Sequence, residues 1–309
     1  MSAAVTVSAP AKINLCLGVG TARPDGFHPL ATVYQAVGLY DQVTVSEVAG
    51  PAGQVTVSVE AQARLDVRGV PTDATNIAAR AVRLLAGHHR LERSVHVHID
   101  KGIPVAGGMA GGSADAAGAL LACDRLWGLR TPADELAALA ATLGSDVPFA
   151  LVGGTAIGSG RGEVVTPLLT RGQFWWVVLE SPLGLSTPAV YREFDALHAG
   201  AEVADPEIPD RLVGALLACD VPELGASLSN DLQRAAFRLR PELEAALEDG
   251  LAASAHGAVL SGSGPSCLFL CESRTHAAQV ADALAARGRG PISLAPGPVP
   301  GAHVVAKEV

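Results

Sequence analysis

The 309-residue sequence is poor in aromatic and charged residues. Aromatic residues make up 4% of the chain and charged residues 17%, whereas hydrophobic residues make up 49%. So much apolar material with so little charge excludes an intrinsically disordered chain. With few aromatics available, the core must be built from small aliphatic side chains.

Basic residues and long apolar runs are also scarce. The 22 Lys and Arg are outnumbered by 31 Asp and Glu, which gives a net charge of −9 and argues against a nucleic-acid-binding surface. Phosphate sites remain possible, since backbone N–H groups and a helix N-terminus can build them. No apolar run approaches the roughly 18–20 residues of a membrane span, and no secretion signal opens the chain. We therefore expect a cytoplasmic protein without membrane contact.

Cysteine is rare, and its spacing does not fit a zinc site or a disulfide framework. The residues are five in number and are expected to be buried, reduced thiols: Cys16, Cys123, Cys219, Cys267 and Cys271.

Strand and helix patterns are mixed without a regular βαβα rhythm, which predicts an α+β fold in two lobes. The lobe boundary is expected between Gly154 and Arg171. The patterns predict strands over 43–48 and 54–60, a helix from Ser113 to about Trp127, a helix near Pro132–Leu143 with Thr131 as N-cap, and one helix over Asp231–Leu251.

A glycine-rich segment, Pro104–Ser113, stands between a predicted strand and a predicted helix. Its four glycines let a ligand approach the backbone N–H groups, and the helix N-terminus favours an anion. The spacing fits neither a Walker A motif nor a dinucleotide fingerprint. The segment therefore predicts a phosphate cradle, with a flexible hairpin or a close-packed glycine cluster as the alternative.

Two polar residues stand in apolar surroundings. Lys12 and Asn14 lie two residues apart in a predicted strand and so share one face, and Asp146 follows the helix-ending Gly144. By themselves these residues have ordinary alternatives. Lys12 could guard a sheet edge, and Asp146 could cap the next element.

Three segments resemble the motifs of the GHMP kinases, in the family's order. They are Pro10–Leu15, Pro104–Ser113 and Gly262–Ser266. Four further segments resemble the branch of that family that acts on a cytidyl diphosphate ester of methylerythritol in non-mevalonate isoprenoid biosynthesis: Asp25–His28, Leu143–Phe149, Ser186–Pro188 and Ser229–Leu232. The sequence departs from the usual pattern at Phe27, where Tyr is common, and at Met109 and Ala110, where Leu and Gly are common.

The resemblance implies a two-lobed GHMP kinase fold with domains 1–160 and 161–309 and an active site in the cleft between them. It implies ATP and Mg²⁺ as cofactors, a 2-hydroxyl as the acceptor group, and Lys12 and Asp146 as the catalytic pair. Lys12 would keep the base Asp146 ionised. No metal-ligating residue is identified. The ATP-binding residues would be Pro104, Val105, Ala106, Gly107, Gly108, Met109, Ala110, Gly111, Gly112, Ser113 and Ala114.

The resemblance also implies how the acceptor is bound. Phe27 and Tyr191 would sandwich the cytosine, His28 would bind the base edge, and Asn14 and Thr187 would contact the sugar alcohol and its phosphates. Ordinary core packing is the alternative for the two aromatic residues, and a turn histidine for His28. The partner is thus a small-molecule substrate, with no nucleic acid, membrane or protein partner implied. A GHMP kinase for homoserine, mevalonate or a sugar is one alternative function, and a non-catalytic nucleotide-binding protein is another.

Overall fold

The computed structural model describes residues 3–61, 65–181, 183–199 and 203–308. Within these residues, strands β1–β12 span Ala4–Val19, Leu30–Glu47, Val55–Ala61, Val95–Lys101, Thr155–Ser159, Val164–Pro167, Phe174–Leu179, Ser229–Asn230, Gly257–Leu260, Cys267–Cys271, Ile292–Gly297 and His303–Glu308. Helices α1–α10 span Ile77–His88, Gly111–Trp127, Ala133–Leu143, Val147–Val152, Thr187–Leu197, Asp210–Ala218, Val221–Ser227, Gln233–Leu239, Glu242–Ala252 and Arg274–Ala286.

The larger sheet is organised around the long strands β1 and β2. Its strand order is β12-β1-β2-β4-β3, with β5, β6 and β8 attached beside this path. Helices α1 and α2 pack on this sheet through small aliphatic residues such as Val43, Leu85 and Leu120. The last strand, β12, pairs antiparallel with the first, β1.

The smaller sheet is antiparallel, with the order β11-β7-β10-β9. Part of its buried residues share one apolar cluster with β1 and β2, in which Ile13 and Val33 meet Trp176 and Leu268, while others such as Val177 and Phe269 belong to a second cluster. The predicted α+β class is confirmed. The division into domains 1–160 and 161–309 stays a prediction.

Three predicted elements are wrong in their bounds. The helix predicted over Asp231–Leu251 is two helices, α8 and α9, because Pro241 between them cannot continue a helix. Thr131 is not an N-cap: Pro132 takes that position, while the Thr131 N–H donates to Asp124 Oδ1 at 2.8 Å. Strand β2 begins at Leu30 rather than at 43, since its first half is buried on both faces and shows no alternation.

The cysteines are all free thiols, as predicted, and four of the five are buried. Burial raises the pKa of Cys16 to about 11 and the pKa of both Cys267 and Cys271 to about 12. Among the described residues, no helix has the length and apolar character needed to cross a bilayer.

Candidate active site

Strand β1 and the N-terminus of α4 bring Lys12 and Asp146 together. The Lys12 side chain is buried in the sheet, opposite Ala36 of β2. Asp146 lies in the short turn between α3 and α4, and its carboxylate is about 30% exposed. Lys12 Nζ and Asp146 Oδ1 are 3.4 Å apart. A buried ammonium thus faces a partly exposed carboxylate.

This arrangement rejects both alternative interpretations of the pair. A lysine that guards a sheet edge would point into solvent, but Lys12 is only 6% exposed. Asp146 does precede α4, yet its side chain makes no capping hydrogen bond to that helix. Its carboxylate is therefore left available to Lys12 and to a ligand.

A chain of hydrogen bonds fixes the Lys12 ammonium. Lys12 Nζ donates to Asn14 Oδ1 at 3.0 Å, and Asn14 Nδ2 donates to the Thr32 hydroxyl at 2.8 Å. That hydroxyl in turn donates to the Cys16 carbonyl at 2.6 Å. Since an ammonium can only donate, it also fixes the orientation of the Asn14 amide.

The Lys12–Asp146 pair lies in a cavity of about 540 Å³, which we call the acceptor cavity. Residues from both halves of the chain line it: Lys12, Asn14, Leu17, Gly26, Phe27, His28, Leu30, Tyr34, Gly108, Ala110, Ser145, Asp146, Arg161, Thr187, Pro188, Tyr191, Leu232, Gly262 and Ser263. All five residues predicted to bind the acceptor are among them. Thr187 and Tyr191 reach it together because they are four residues apart on α5.

The rings of Phe27, His28 and Tyr191 line the acceptor cavity together, and we call this group its aromatic mouth. Phe27 follows a turn and is 50% exposed, which rules out core packing for this residue. The Arg161 guanidinium lies 4.8 Å from the centre of the Phe27 ring, within cation–π range. The rings of His28 and Tyr191 are 4.9 Å apart and tilted by 36°.

Both nitrogens of His28 already have partners. Nδ1 donates to the Gly20 carbonyl at 2.8 Å, so it carries a proton. Nε2 lies 3.5 Å from Asp195 Oδ1, a longer contact. The ring orientation is therefore fixed from the Nδ1 side, and a ligand would have to compete with Asp195 for Nε2.

The phosphate loop, residues 104–112, alternates its backbone conformation. Ala106, Gly108 and Ala110 have left-handed φ values of 55°, 75° and 58°. Alternation of right- and left-handed residues turns successive N–H groups toward one point and creates an anion-binding concavity. Ala110 adopts this conformation although it has a side chain.

Neighbouring segments hold the carbonyls of the loop away from its N–H groups. The Gly107 carbonyl accepts from the Ser266 N–H at 3.3 Å, and the Gly108 carbonyl from the Ser261 hydroxyl at 2.9 Å. The Met109 carbonyl accepts from the N–H of Lys12 at 3.1 Å. The first and third sequence motifs thus support the second.

A second cavity of about 410 Å³, the donor cavity, lies along the phosphate loop. It is lined by 104–112 and by Gly69, Val70, Pro71, Thr75, Asn76, Ile77, Lys101 and Asp115. Gly108 and Ala110 line both cavities, so the loop is their shared wall. A group bound at these two residues would be accessible from either side.

Helix α2 begins at Gly111, two residues earlier than predicted, with Ala110 as its N-cap. The predicted ligand residues Ser113 and Ala114 line neither cavity. The Ala114 side chain lies in the core, and its N–H donates to the Ala110 carbonyl at 2.9 Å. The two cavities thus reach the loop and the first two residues of the helix, and the roles of Ser113 and Ala114 stay predictions.

Sequence reasoning missed several residues of the two cavities. Arg161 belongs to a segment with no motif assigned to it, and Ser145 lies in the Leu143–Phe149 motif but was given no role there. Tyr34 is the cross-strand partner of Asn14, and only the strand register would have indicated it. Burial, aided by the Asp146 charge, raises the pKa of Tyr34 well above its ordinary value, so its hydroxyl stays protonated. The pKa of Tyr191 is raised to about 12 for the same reasons.

Comparisons with known proteins agree with this geometry. The model for the GHMP kinases N terminal domain matches residues 76–154, and the model for the GHMP kinases C terminal domain matches 212–290. A protein named 4-diphosphocytidyl-2-C-methyl-D-erythritol kinase from a Nocardioides species is 56% identical over 297 residues, which cover 96% of this chain and 98% of that protein. A Thermobifida fusca protein of the same name is 54% identical and covers 97% of this chain and 98% of its own length.

Solved structures show the same relation. A crystal structure of 4-(cytidine 5'-diphospho)-2C-methyl-D-erythritol kinase superimposes with a TM-score of 0.75 at 32% identity, over 95% of this chain and 99% of that one. A homoserine kinase from Cytophaga hutchinsonii reaches a TM-score of 0.74 at 18% identity, over 98% and 97% of the two chains. At that identity it shares the fold alone.

Because Gly108 lies in the wall that the two cavities share, we can predict what a methyl group added at this residue does to nucleotide binding. In Gly108→Ala, the new Cβ would lie 2.3 Å from the Ser261 carbonyl oxygen and 2.7 Å from that of Gly264, which are both backbone atoms. The loop must shift, and we expect nucleotide affinity and turnover to fall by about 100-fold. Isothermal titration with an ATP analogue and steady-state kinetics would measure this.

Gly128→Ala is the matched control for that substitution. Gly128 has a similar φ of 66°, but a Cβ there meets nothing within 4 Å. It should lower stability by about 1 kcal/mol and leave nucleotide binding unchanged. Wild-type nucleotide affinity in Gly108→Ala would contradict the assignment of the loop.

Proposed function

This chain belongs to the 4-diphosphocytidyl-2-C-methyl-D-erythritol kinase family of GHMP kinases, and we propose that its two cavities transfer the γ-phosphate of ATP to the 2-hydroxyl of that substrate. The resemblance found in the sequence is thereby confirmed. One observation supports the proposal above the others: Lys12 and Asp146 meet in a cavity that shares its wall with the phosphate loop.

As a GHMP kinase, the enzyme uses ATP as its phosphoryl donor. We place the ATP phosphates against the N–H groups of 104–112 and the nucleoside in the donor cavity. The γ-phosphate would then lie at Gly108 and Ala110, which face both cavities. The acceptor alcohol would approach from the other side, as an in-line transfer requires.

Asp146 is the general base in this proposal. Its partly exposed carboxylate accepts the proton of the 2-hydroxyl while the hydroxyl oxygen attacks the γ-phosphorus and ADP leaves. The buried Lys12 ammonium, 3.4 Å away, holds the carboxylate and orients the alcohol oxygen. Tyr34 remains a protonated hydrogen-bond donor beside them and does not compete as a base.

The cytidyl group is assigned to the aromatic mouth of the acceptor cavity. The exposed Phe27 ring and Tyr191 offer faces for cytosine, and His28 Nε2 can form a hydrogen bond to the edge of the base in place of its contact with Asp195. Asn14 and Thr187 would contact the sugar alcohol and the phosphates. Thr187 is already oriented by a 2.7 Å hydrogen bond to the Ser263 hydroxyl.

Arg161 is a further candidate for acceptor binding. The substrate carries a diphosphate, and of the described residues that line the acceptor cavity Arg161 is the only cation besides Lys12. Glu163 holds it in place, since Glu163 Oε2 accepts the Arg161 N–H at 2.6 Å. We propose that its guanidinium neutralises the diphosphate while it stacks on Phe27.

Mg²⁺ is proposed as the metal that enters with ATP. Magnesium usually keeps several waters and binds through one or two carboxylates together with substrate phosphates. The donor set fits this pattern: the described residues contain no cluster of three metal-ligating side chains, but Asp146 offers an exposed oxygen beside the shared wall. When bound, the ion would neutralise charge on the transferring phosphates.

Two remaining assignments are also proposals. The lobes are taken as 1–160 and 161–309, which places the acceptor cavity between them. The enzyme is placed in the cytoplasm, where its free and mostly buried thiols would stay reduced.

The role of the base predicts a selective loss of turnover. Asp146→Asn keeps the size of the side chain but cannot accept a proton, so kcat should fall by about 10²- to 10⁴-fold. The affinity for an ATP analogue should stay within about threefold of the wild-type value, because the loop that is proposed to bind ATP does not include Asp146. Asp195→Asn, which removes another carboxylate near the acceptor cavity, should leave kcat unchanged. Undiminished turnover in Asp146→Asn would remove this residue from its role.

The aromatic mouth predicts a selective loss of acceptor binding. Phe27→Ala removes one stacking face, worth about 1–3 kcal/mol, so KM for the cytidyl acceptor should rise at least about fivefold while KM for ATP stays unchanged. Phe27→Tyr should restore the wild-type value. Equal effects on both substrates would reject the stacking role, and preferred turnover of homoserine or mevalonate by the wild type would reject the acceptor.

A further inference from the structure

A buried cluster of three charged side chains lies behind the phosphate loop. Lys101 ends β4, Asp41 lies in β2 and Asp115 in α2, and none is more than 3% exposed. The Lys101 ammonium donates to a carboxylate oxygen of Asp41 and to Asp115 Oδ2, the latter at 2.8 Å. The reaction proposed above does not use these groups.

The cluster connects the two ends of the phosphate loop. At the N-terminal end, Asp41 Oδ1 accepts the N–H groups of Gly102 and Ile103 at 2.8 and 2.9 Å. At the C-terminal end, Asp115 belongs to the first turns of α2, which the loop enters directly. The hydrogen bond from Lys101 to Asp115 therefore closes the segment 101–115 into a ring. The bond from Lys101 to Asp41 attaches this ring to strand β2.

We propose that Lys101 is a positioning residue of the donor site, and that its bridge from Asp41 to Asp115 sets the spacing of the phosphate loop. The proposal rests on the proposed function, since it takes the loop to bind the phosphates of ATP. Residues 104–113 contain no charged side chain. Phosphate binding must then depend on the positions of backbone N–H groups, which the two ends of the loop determine.

Stability alone does not account for the cluster. A buried ion pair can often be replaced by apolar residues without loss of stability, and a buried oxygen without a partner counts against stability. Asp115 Oδ1 is such an oxygen, because it has no hydrogen-bond partner among the described residues. Lys101 and Asp115 both line the donor cavity, where a bound ligand can compensate for these losses.

The charge of the cluster is compatible with a phosphate site. Two carboxylates and one ammonium would leave a negative charge behind the loop if both acids were ionised. Burial raises the pKa of Asp115 well above its usual range, against the opposing effect of Lys101. The raised pKa of Asp115 reduces the negative charge that the cluster would otherwise place behind the loop.

The helix start is packed tightly against this lysine. A Cβ placed on Gly111 would lie 3.2 Å from Lys101 Nζ and 3.3 Å from Ile103 Cγ2. A cation at a helix N-terminus is unfavourable by itself. The carboxylates of Asp41 and Asp115 offset this effect, so the ammonium can sit directly beneath the first residue of α2.

The test compares Asp115→Ala, which opens the bridge, with Asp115→Asn, whose amide oxygen can still accept from Lys101. We expect Asp115→Ala to raise both KM for ATP and Kd for an ATP analogue by about tenfold or more. KM for the cytidyl acceptor should stay within about twofold, and Asp115→Asn should stay within about threefold of the wild type in all three constants. If Asp115→Ala does not fold, Asp115→Leu fills the space and serves instead.

Asp124→Ala is the matched control. Asp124 is also buried on α2, where it accepts the Thr131 N–H at 2.8 Å, but it is remote from the loop. It should lower the melting temperature and leave KM for ATP unchanged. The proposal is overturned if Asp115→Ala binds ATP like the wild type, if both KM values rise together, if Asp124→Ala matches Asp115→Ala, or if Asp115→Asn is equally impaired.

The same experiment separates this proposal from the proposed function. A wild type that turns over the cytidyl acceptor, with an Asp115→Ala variant of unchanged KM for ATP, overturns the positioning role alone. A wild type that neither binds ATP nor phosphorylates the acceptor overturns both.

Discussion

The position of Lys12 connects the two halves of the candidate active site. Its backbone N–H holds the Met109 carbonyl of the phosphate loop at 3.1 Å, and its ammonium lies 3.4 Å from Asp146. One strand residue therefore fixes the distance between the glycine loop and the Asp146 carboxylate. Asn14 and the sheet fix Lys12 in turn, so the geometry of the reaction depends on the register of β1 against β2.

An acidic chain can still offer sites for phosphate groups, because backbone N–H groups can take the place of most cations. The net charge is −9, yet the loop offers an anion the backbone N–H groups of its left-handed residues and of the start of α2. The loop carbonyls, which would repel a phosphate, instead accept hydrogen bonds from residues in or next to the first and third motifs. Among the described residues, Lys12 and Arg161 are the cations that line the acceptor cavity, whereas Lys101, which lines the donor cavity, is paired with Asp41 and Asp115.

The glycine loop could be predicted from its own backbone chemistry, since its four glycines stand between a strand and a helix. Lys12 and Asp146 were paired only by the resemblance to the GHMP kinases, because each residue alone has an ordinary structural explanation. The first half of β2 was missed because it is buried on both faces and its sequence does not alternate. Helix α5 was missed although its apolar residues Val190, Tyr191, Phe194 and Leu197 recur at helical spacing. The Lys101–Asp41–Asp115 cluster could not be predicted from the sequence for another reason. Its members are up to 74 residues apart in sequence (115 − 41) and meet only through the sheet.

The most direct test is a crystal structure of the ternary complex with a non-hydrolysable ATP analogue and the cytidyl acceptor. The account predicts that the 2-hydroxyl oxygen lies within hydrogen-bonding distance of both Asp146 and Lys12. The γ-phosphate should contact the backbone of Gly108 or Ala110 from the opposite side, in line with that oxygen. A complex with the cytosine outside the acceptor cavity, or with the hydroxyl beyond reach of Asp146, would contradict the account.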